Sequence, residues 1–375
     1  MTEFRFNISK TSPLPLHEQL FNELRHSIIS GALKPHTRLP GELELVEMLN
    51  ISRATIQRAW QTAQEDGLIY RVTGKGTFVS DRPTTQASRM VGFLNPEFRG
   101  NFAGQLLNSA ERVLRECGYR VSFAHTDRQI DEENRLLRAM MEEGVCGFLM
   151  WPTKGGASGR FLTDSHFNLP VVLMDRPIAG LALPCVTSNN HAGGLQAMHH
   201  LLGLGHKRIV FLARPHLDLF PVAERLRAYE DAMRTAGLQP LPPFFVNAPS
   251  EISWTEAYIQ TDDEKQGVLV EFLSRSDRPT AIFAVNDWMA FKVLRAAAQA
   301  GLSIPHDLSV VGFDNIDMVD YVVPPLTTVA QDVALIGAEA ARRLLSMING
   351  EVSQEILTLL PTHLVLRGST APPAS

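Results

Sequence analysis

Apolar positions change their spacing once along this chain, near residue 80. After Pro15, Leu16, Leu20, Leu24, Ile28 and Ile29 fall on one helical face. Gly31 is placed to end that helix in the left-handed cap conformation. Leu39-Pro40-Gly41-Glu42 turns into a second, short helix over 42–49, and Asn50-Ile51-Ser52 connects it to a third over 53–66. Ser52 is a good N-cap for that third helix, without the partner that completes a capping box. Gly67 stops it. Residues 68–72 and 77–79 then alternate as a hairpin around Thr73-Gly74-Lys75-Gly76.

From residue 90 onward, apolar runs alternate with helical patterns. Strands are predicted at 90–94, 121–124, 147–151, 171–174, 209–213, 281–285 and 309–313. Helices are predicted at 103–116, 131–143, 191–204, 223–236, 288–300 and 334–348. This alternation predicts an α/β fold of doubly wound parallel sheets, too long for one sheet and so divided into two lobes. Between the patterns, residues 81–89 are polar, carry a proline and show no periodicity. They read as a tether spanning at most about 30 Å. The expected organisation is a helix-turn-helix with a wing over 1–80, a linker over 81–89 and a two-lobed unit over 90–375.

Parallel sheets bind ligands beyond the carboxyl ends of their strands. The residues standing there are Asn95, Thr153, Lys154, Asp175, Arg176, Asn286, Asp287 and Asp314, with Phe98 and Asn101 on the loop after the first strand. Several have structural readings too. Asp287 reads better as a loop or cap residue, Arg176 serves a lobe interface equally well, and Ser188-Asn189-Asn190 reads as a helix cap. His199, His200 and His206 make a metal cluster by composition only, since adjacent helical positions face different ways; no metal and no cofactor is expected. Asp262-Asp263-Glu264 reads as an acidic helix start.

Charge refines the picture of the N-terminal module. The 375-residue chain has a formal net charge of −5 and 20% charged residues, so it is no bulk polyanion binder. Residues 1–80 hold nine Lys/Arg against eight Asp/Glu. Double-stranded DNA, if it is the partner, must be met by local placement of cations. That placement exists. Ser52, Arg53 and Thr55 share the first turn of the third helix, where a major-groove helix presents its side chains. Arg53 suits guanine or phosphate, Gln57 suits adenine with Arg58 beside it, and Lys75 sits at a glycine-flanked wing tip. The three cysteines, Cys117, Cys146 and Cys185, are widely spaced and suggest neither disulfides nor zinc. With no leader-like or membrane-spanning apolar run, a cytoplasmic location is expected.

The segments PLHEQL, SGALKPHTRLP, LNISRATIQRAW and EDGLIYRVTGKGTFV resemble the winged-helix domain of the gluconate-repressor (GntR) family. The resemblance implies DNA contacts at Arg38, Ser52, Arg53, Thr55, Thr73 and Gly74. Two departures stand out: Gly41-Glu42-Leu43 replaces the usual Ser-Glu-Arg or Ser-Glu-Asn, and Gln57 stands where an arginine is common. The motifs VVLMDRP, HHLLGLGHKRIVFLA, AERLRAYEDAM, RPTAIFAVNDWMA, GLSIPHDLSVVGFDN and PPLTTVAQD resemble the effector core of the lactose/galactose-repressor (LacI) family, itself similar to periplasmic sugar-binding proteins. That resemblance implies effector contacts at Asp175, Arg225, Asn286 and Asp314, with Trp254 as an aromatic platform. The two halves together are similar to the arabinose-repressor family.

The resemblances imply a homodimeric transcription regulator, a repressor released from operator DNA by a small sugar such as a pentose. The alternatives are a sugar acting as corepressor or activator, or a sugar-binding protein without a regulatory role. An enzyme is disfavoured: no phosphate-binding loop of Walker type, HExxH or GxSxG occurs. The hinge helix of lactose-type repressors has no counterpart in the polar 81–89 segment.

Overall fold

A computed structural model describes residues 14–29, 32–80, 89–97, 101–153, 169–215, 217–246, 263–351 and 355–374, with 6, 8–9, 161–163 and 167. Gly31, Phe98, Lys154, Trp254 and the tether at 81–88 lie outside the described residues. The chain divides into two compact units, Met1–Arg89 and Met90–Ser375.

The first unit holds α1 (Leu16–Ile29), α2 (Glu42–Leu49), α3 (Arg53–Glu65), β1 (Ile69–Val72) and β2 (Gly76–Val79). Its core joins Leu20 and Leu24 of α1, Leu45 of α2 and Ile56, Ala59, Trp60 and Ala63 of α3. These are the positions that helical spacing assigns to one face. The α2–α3 turn is fixed locally. Asn50 takes a left-handed φ of 50° that closes α2, and Ser52 Oγ accepts the Thr55 N–H at 3.1 Å. β1 and β2 pair antiparallel, Tyr70 opposite Phe78. Their tip turns through Gly74 and Gly76 at φ 76° and 115°, which favour glycine. Arg38 bridges to Phe78, so it lies alongside the wing.

The second unit has two six-stranded sheets. The first lobe begins with β3 (Met90–Asn95), α4 (Asn101–Glu116), β4 (Arg120–His125), α5 (Ile130–Glu142), β5 (Phe148–Met150), β6 (Val171–Met174) and β7 (Cys185–Ser188). The chain then builds the second lobe from α6 (Asn190–Gly203), β8 (Ile209–Ala213), α7 (Phe220–Thr235), β9 (Phe244–Phe245), α8 (Asp263–Ser274), β10 (Ala281–Ala284), α9 (Asp287–Gln299), β11 (Ser309–Asp314) and β12 (Thr327–Gln331). It returns with α10 (Val333–Ile348) and β13 (Leu357–Leu360) to the first lobe, then adds β14 (Thr362–Val365) to the second. The strand orders are β13-β7-β6-β5-β3-β4 and β14-β12-β11-β10-β8-β9, parallel throughout except for β14 against β12.

The chain therefore crosses between lobes three times, near Asn189, Asp332 and Pro361. Each crossing is held. Asn189 donates its N–H to the Leu360 carbonyl at 2.7 Å and caps α6 by accepting from the Ala192 N–H at 3.0 Å. Asp332 caps α10 through the Leu335 N–H at 2.8 Å. The three crossings join the two lobes within one compact unit.

Strands buried on both faces read as apolar runs, and the predicted ones appear with ends shifted by at most a few residues. β7, β9, β12, β13 and β14 escape the sequence reading. Most carry threonines whose burial is invisible in a polarity pattern: Thr187, Thr327, Thr328 and Thr362 are all buried. Their hydroxyls are satisfied internally, Thr327 by accepting the Arg367 N–H at 2.9 Å and Thr328 by donating to Asp287 at 2.5 Å.

In the first lobe α10 packs on α4, and Gly337 is where the two helices approach most tightly. A Cβ there would run into the Leu106 carbonyl and the Ser109 hydroxyl. Gly337→Ala gains helix propensity, yet the backbone contact dominates because Leu106 cannot rotate away. The expected outcome is a loss of about 1–3 kcal/mol, read as a lower melting temperature in thermal denaturation.

Candidate functional site

The cleft of the second unit is built around one buried guanidinium. Arg225, on the inner face of α7, is 5% exposed. Its Nε donates to Asn190 Oδ1 at 2.9 Å and its Nη1 to the Val285 carbonyl at 2.6 Å. The group lies 3.6 Å above the centre of the Phe313 ring. Its Nη2 faces Asp314 Oδ1 at 3.5 Å. Burial pushes the Arg225 guanidinium down, while Asp314, Asp175 and Asp287 hold it up.

The carboxylates come from both lobes. Asp175 follows β6 of the first lobe and Asp314 ends β11 of the second. Both adopt left-handed backbone, φ 68° and 109°, as does Asn315 at 53°. Such strain in non-glycine residues persists only where the surroundings impose it, commonly at binding sites. Asp175 Oδ2 accepts from Arg176 Nε at 3.0 Å. Asp314 Oδ1 accepts from Gln331 Nε2 at 2.7 Å. Burial pushes the Asp314 carboxyl up to about 6; Arg225 and the Gln331 bond pull it down and Asp175 pushes it further up. Behind it, Asp287 is fully buried, takes the Ile316 N–H at 2.9 Å as well as the Thr328 hydroxyl, and is raised well above the usual range by burial and by Asp314. Asp287 thus holds the segment that presents Asp314.

An aromatic wall stands on the first-lobe side. Trp151, directly after β5, packs its ring 4.9 Å from Phe102, and the Arg176 guanidinium lies 5.3 Å from the Trp151 ring centre. Among the described residues the buried Trp151 Nε1–H has no hydrogen-bond partner. At the rim, Asn101 of α4 donates to Asp317 of the second lobe at 2.6 Å. Arg214, after β8, is pushed down to about 10 by burial and by Arg128, with Glu97 opposing. Glu97 and Arg128 themselves form an ion pair. The cleft is thus charged and polar on its floor, aromatic on one wall and bridged at its edge.

On the first unit, Ser52, Arg53, Gln57 and Arg58 are exposed along one side of α3, and Thr73, Gly74 and Lys75 are exposed at the wing tip. Arg38 is exposed beside the wing, its guanidinium against Gly76. Glu42, at the start of α2, accepts from Arg53 Nε at 3.0 Å, from Gln57 Nε2 at 3.0 Å and from Arg71. Ser52 and Thr55 share a 2.7 Å hydrogen bond at the cap.

Residues 16–79 match the bacterial regulatory gntR family, and residues 198–370 match a periplasmic binding protein-like domain. An arabinose metabolism transcriptional repressor of Geobacillus stearothermophilus is 30% identical, covering 96% of this chain and 99% of that one. The chain belongs to this family of transcriptional regulators. It is not built as an enzyme. The HTH-type transcriptional repressor CytR of Escherichia coli is 28% identical over 85% of this chain and 89% of its own. A LacI family regulator of Enterococcus faecium, solved with bound ribose, aligns with a TM-score of 0.61 at 28% identity, covering 76% of this chain and 99% of that one.

The regulator's cleft brings together Asp175, Arg176, Arg225 and Asp314 from the sequence reading. Asn95 and Asn286 have local tasks. Asn95 is fully buried and donates to the Glu97 carbonyl at 2.9 Å, while Asn286 Oδ1 caps α9 through the Met289 N–H at 3.0 Å. Asp287 takes the structural place that the sequence suggested for it. Trp151 and Arg214 were missed, Trp151 because it reads as a strand end. His200 and His206 hold the C-terminal segment instead, His200 through Thr370 at 2.9 Å and His206 through the Ala371 carbonyl at 2.9 Å. Among the described residues no group of three His, Cys, Asp or Glu could hold a metal, and no helix is long and apolar enough to cross a membrane.

The state of Asp314 makes a pH prediction. Its carboxyl titrates near 6 in the folded protein against an ordinary value of 3.8. Between those values the folded chain holds the extra proton, so stability from this group falls as pH rises through the window. At pH 7 the buried charge is a net cost. Asp314→Asn is expected to raise the melting temperature by a few degrees at pH 7.5, with the gain shrinking toward pH 4. Equal gains at both pH values would assign the effect to packing.

Proposed function

We propose that this regulator is a sugar-responsive repressor that a small sugar, of pentose size, releases from operator DNA. The observation that carries the reading is the pair Asp175 and Asp314, one on each lobe, in left-handed backbone at strand ends, with Arg225 buried against Asp314. Carboxylates accept from vicinal hydroxyls, a guanidinium donates to the next, and Trp151 covers the apolar face of a ring. A hydroxyl left unpaired in such a pocket costs about 1–3 kcal/mol, which separates sugar epimers. The ribose-bound relative supports the ligand class.

In this reading Arg38, Ser52, Arg53, Thr55, Gln57, Arg58, Thr73, Gly74 and Lys75 face the operator. Phe98, Lys154 and Trp254 stay candidates for the sugar on sequence grounds alone. The regulator works in the cytoplasm as a homodimer. Tyr321, Val323 and Leu366 are 84%, 92% and 61% exposed, and Arg367 joins their two stretches by donating to Asp320 at 2.5 Å. A second copy of the chain is the partner that covers them.

The test is a duplex-binding assay across pentoses and hexoses, using a DNA duplex selected by the protein itself. Arg53→Ala should weaken duplex binding at least about tenfold. Asp314→Ala should keep duplex binding and lose the response to every sugar. Trp151→Ala should weaken the effective sugar about tenfold or more. A protein whose duplex affinity no sugar changes would end the sensor reading. Tighter binding with sugar would make the ligand a corepressor.

A further inference from the structure

Glu42 collects three donors from three places: Arg53 at the start of α3, Gln57 one turn later and Arg71 on β1. Its side chain is 14% exposed, so these partners largely enclose it. Burial pushes its carboxyl up, but the bonds from Arg53, Gln57 and Arg71 outweigh that and hold it below the usual range. Glu42 is therefore an anion at neutral pH and accepts only.

That fixes Gln57. The two ends of an amide are ordinarily interchangeable, and its orientation follows from its hydrogen bonds. Beside a carboxylate oxygen at 3.0 Å, the Gln57 amide must present its NH2 group. Its carbonyl oxygen is then the arm left for a partner on the exposed side of α3. A free glutamine pairs with adenine through both arms. Gln57 gives one of its two N–H donors to Glu42, which fixes the amide with its oxygen outward and leaves one N–H beside it. In the major groove the outward oxygen meets a donor only on adenine N6 or cytosine N4; against guanine or thymine, whose O6, N7 and O4 are acceptors, only the remaining N–H can bond.

We propose that Glu42 is a positioning residue that holds the Gln57 amide oxygen outward, so the reader favours a base with an amino group at that operator position, cytosine or adenine, over guanine and thymine. The proposal rests on the DNA-reading function above. It changes the expectation for Gln57 from adenine alone to either amino-bearing base.

The experiment uses the full chain and a library of randomised DNA duplexes, followed by affinities on single-base variants of the selected site. The wild type should enrich cytosine or adenine at one position of each half-site, by about tenfold over guanine and thymine. Gln57→Ala should flatten that position and no other. Glu42→Gln, whose amide can donate or accept, should free Gln57 to turn and admit guanine and thymine there. Gln57→Lys, a donor alone, should invert the preference. Guanine or thymine at the position that Gln57→Ala flattens would overturn the proposal, as would an unchanged base preference in Glu42→Gln. Thermal melting of each variant separates lost folding from lost reading, and Gln57→Ala decides the base class even if Glu42→Gln is unstable. A wild type that enriches no sequence sinks the DNA-reading function and this proposal with it.

Discussion

The buried guanidinium of Arg225 is the constraint around which the sensor unit is arranged. A charge with 5% exposure is tolerable only when its donors are satisfied and opposite charge stands near. Asn190 and the Val285 carbonyl take two of the donors, and the Phe313 ring covers the face. The negative charge comes from Asp314, whose own burial lifts its carboxyl to about 6, and more distantly from Asp175 on the other lobe. Both acids sit in left-handed backbone. The fold keeps this strain because the crossings at Asn189 and Asp332 are capped and tied, and because Asp287 clamps the segment carrying Asp314. The polar groups of the cleft are thus held in place by the fold itself.

Legibility in the sequence follows from how each group satisfies itself. The helices of the first unit were readable to within a residue or two, since each had a stripe and a stop: Ser52 before α3, Gly67 after it. The parallel strands with unbroken apolar runs were readable for the same reason. β12, with its Thr327-Thr328 pair, was not, because its hydroxyls bond inside the protein and polarity no longer reports exposure. Asp175 and Asp314 could be picked out by their position after strands. Arg225 came only through family resemblance, since an arginine in mid-helix ordinarily reads as solvated. Trp151 was in plain view, but its unpartnered Nε1–H and the Phe102 ring beside it exist only once α4 and β5 have been brought together.

The reader and the sensor share one device. In each, a carboxylate sits among donors: Glu42 with Arg53, Gln57 and Arg71, Asp314 with Arg225 and Gln331. The effects differ because the neighbours differ; the side chains are almost equally covered, 14% and 17% exposed. Glu42 meets three donors, two of them cations, stays ionised and fixes the orientation of the Gln57 amide. Asp314 has one guanidinium beside it and the carboxyl of Asp175 near it, and burial lifts its own carboxyl to about 6.

That difference bears on how a sugar could act at a distance. A ligand shifts a conformational balance only by binding one form better than the other. Contacts confined to one lobe bind open and closed forms alike and shift nothing. Differential affinity must come from a molecule that engages Asp175 or Trp151 on the first lobe together with Asp314 or Arg225 on the second. A hundredfold preference for the closed form, about 2.7 kcal/mol, is within reach of one or two hydroxyls bridging the lobes in a low-dielectric cleft. The rim contact of Asn101 with Asp317 adds to closure whether or not sugar is present. In the proposed function that contact belongs to the resting balance, and the opposed aspartates carry the response.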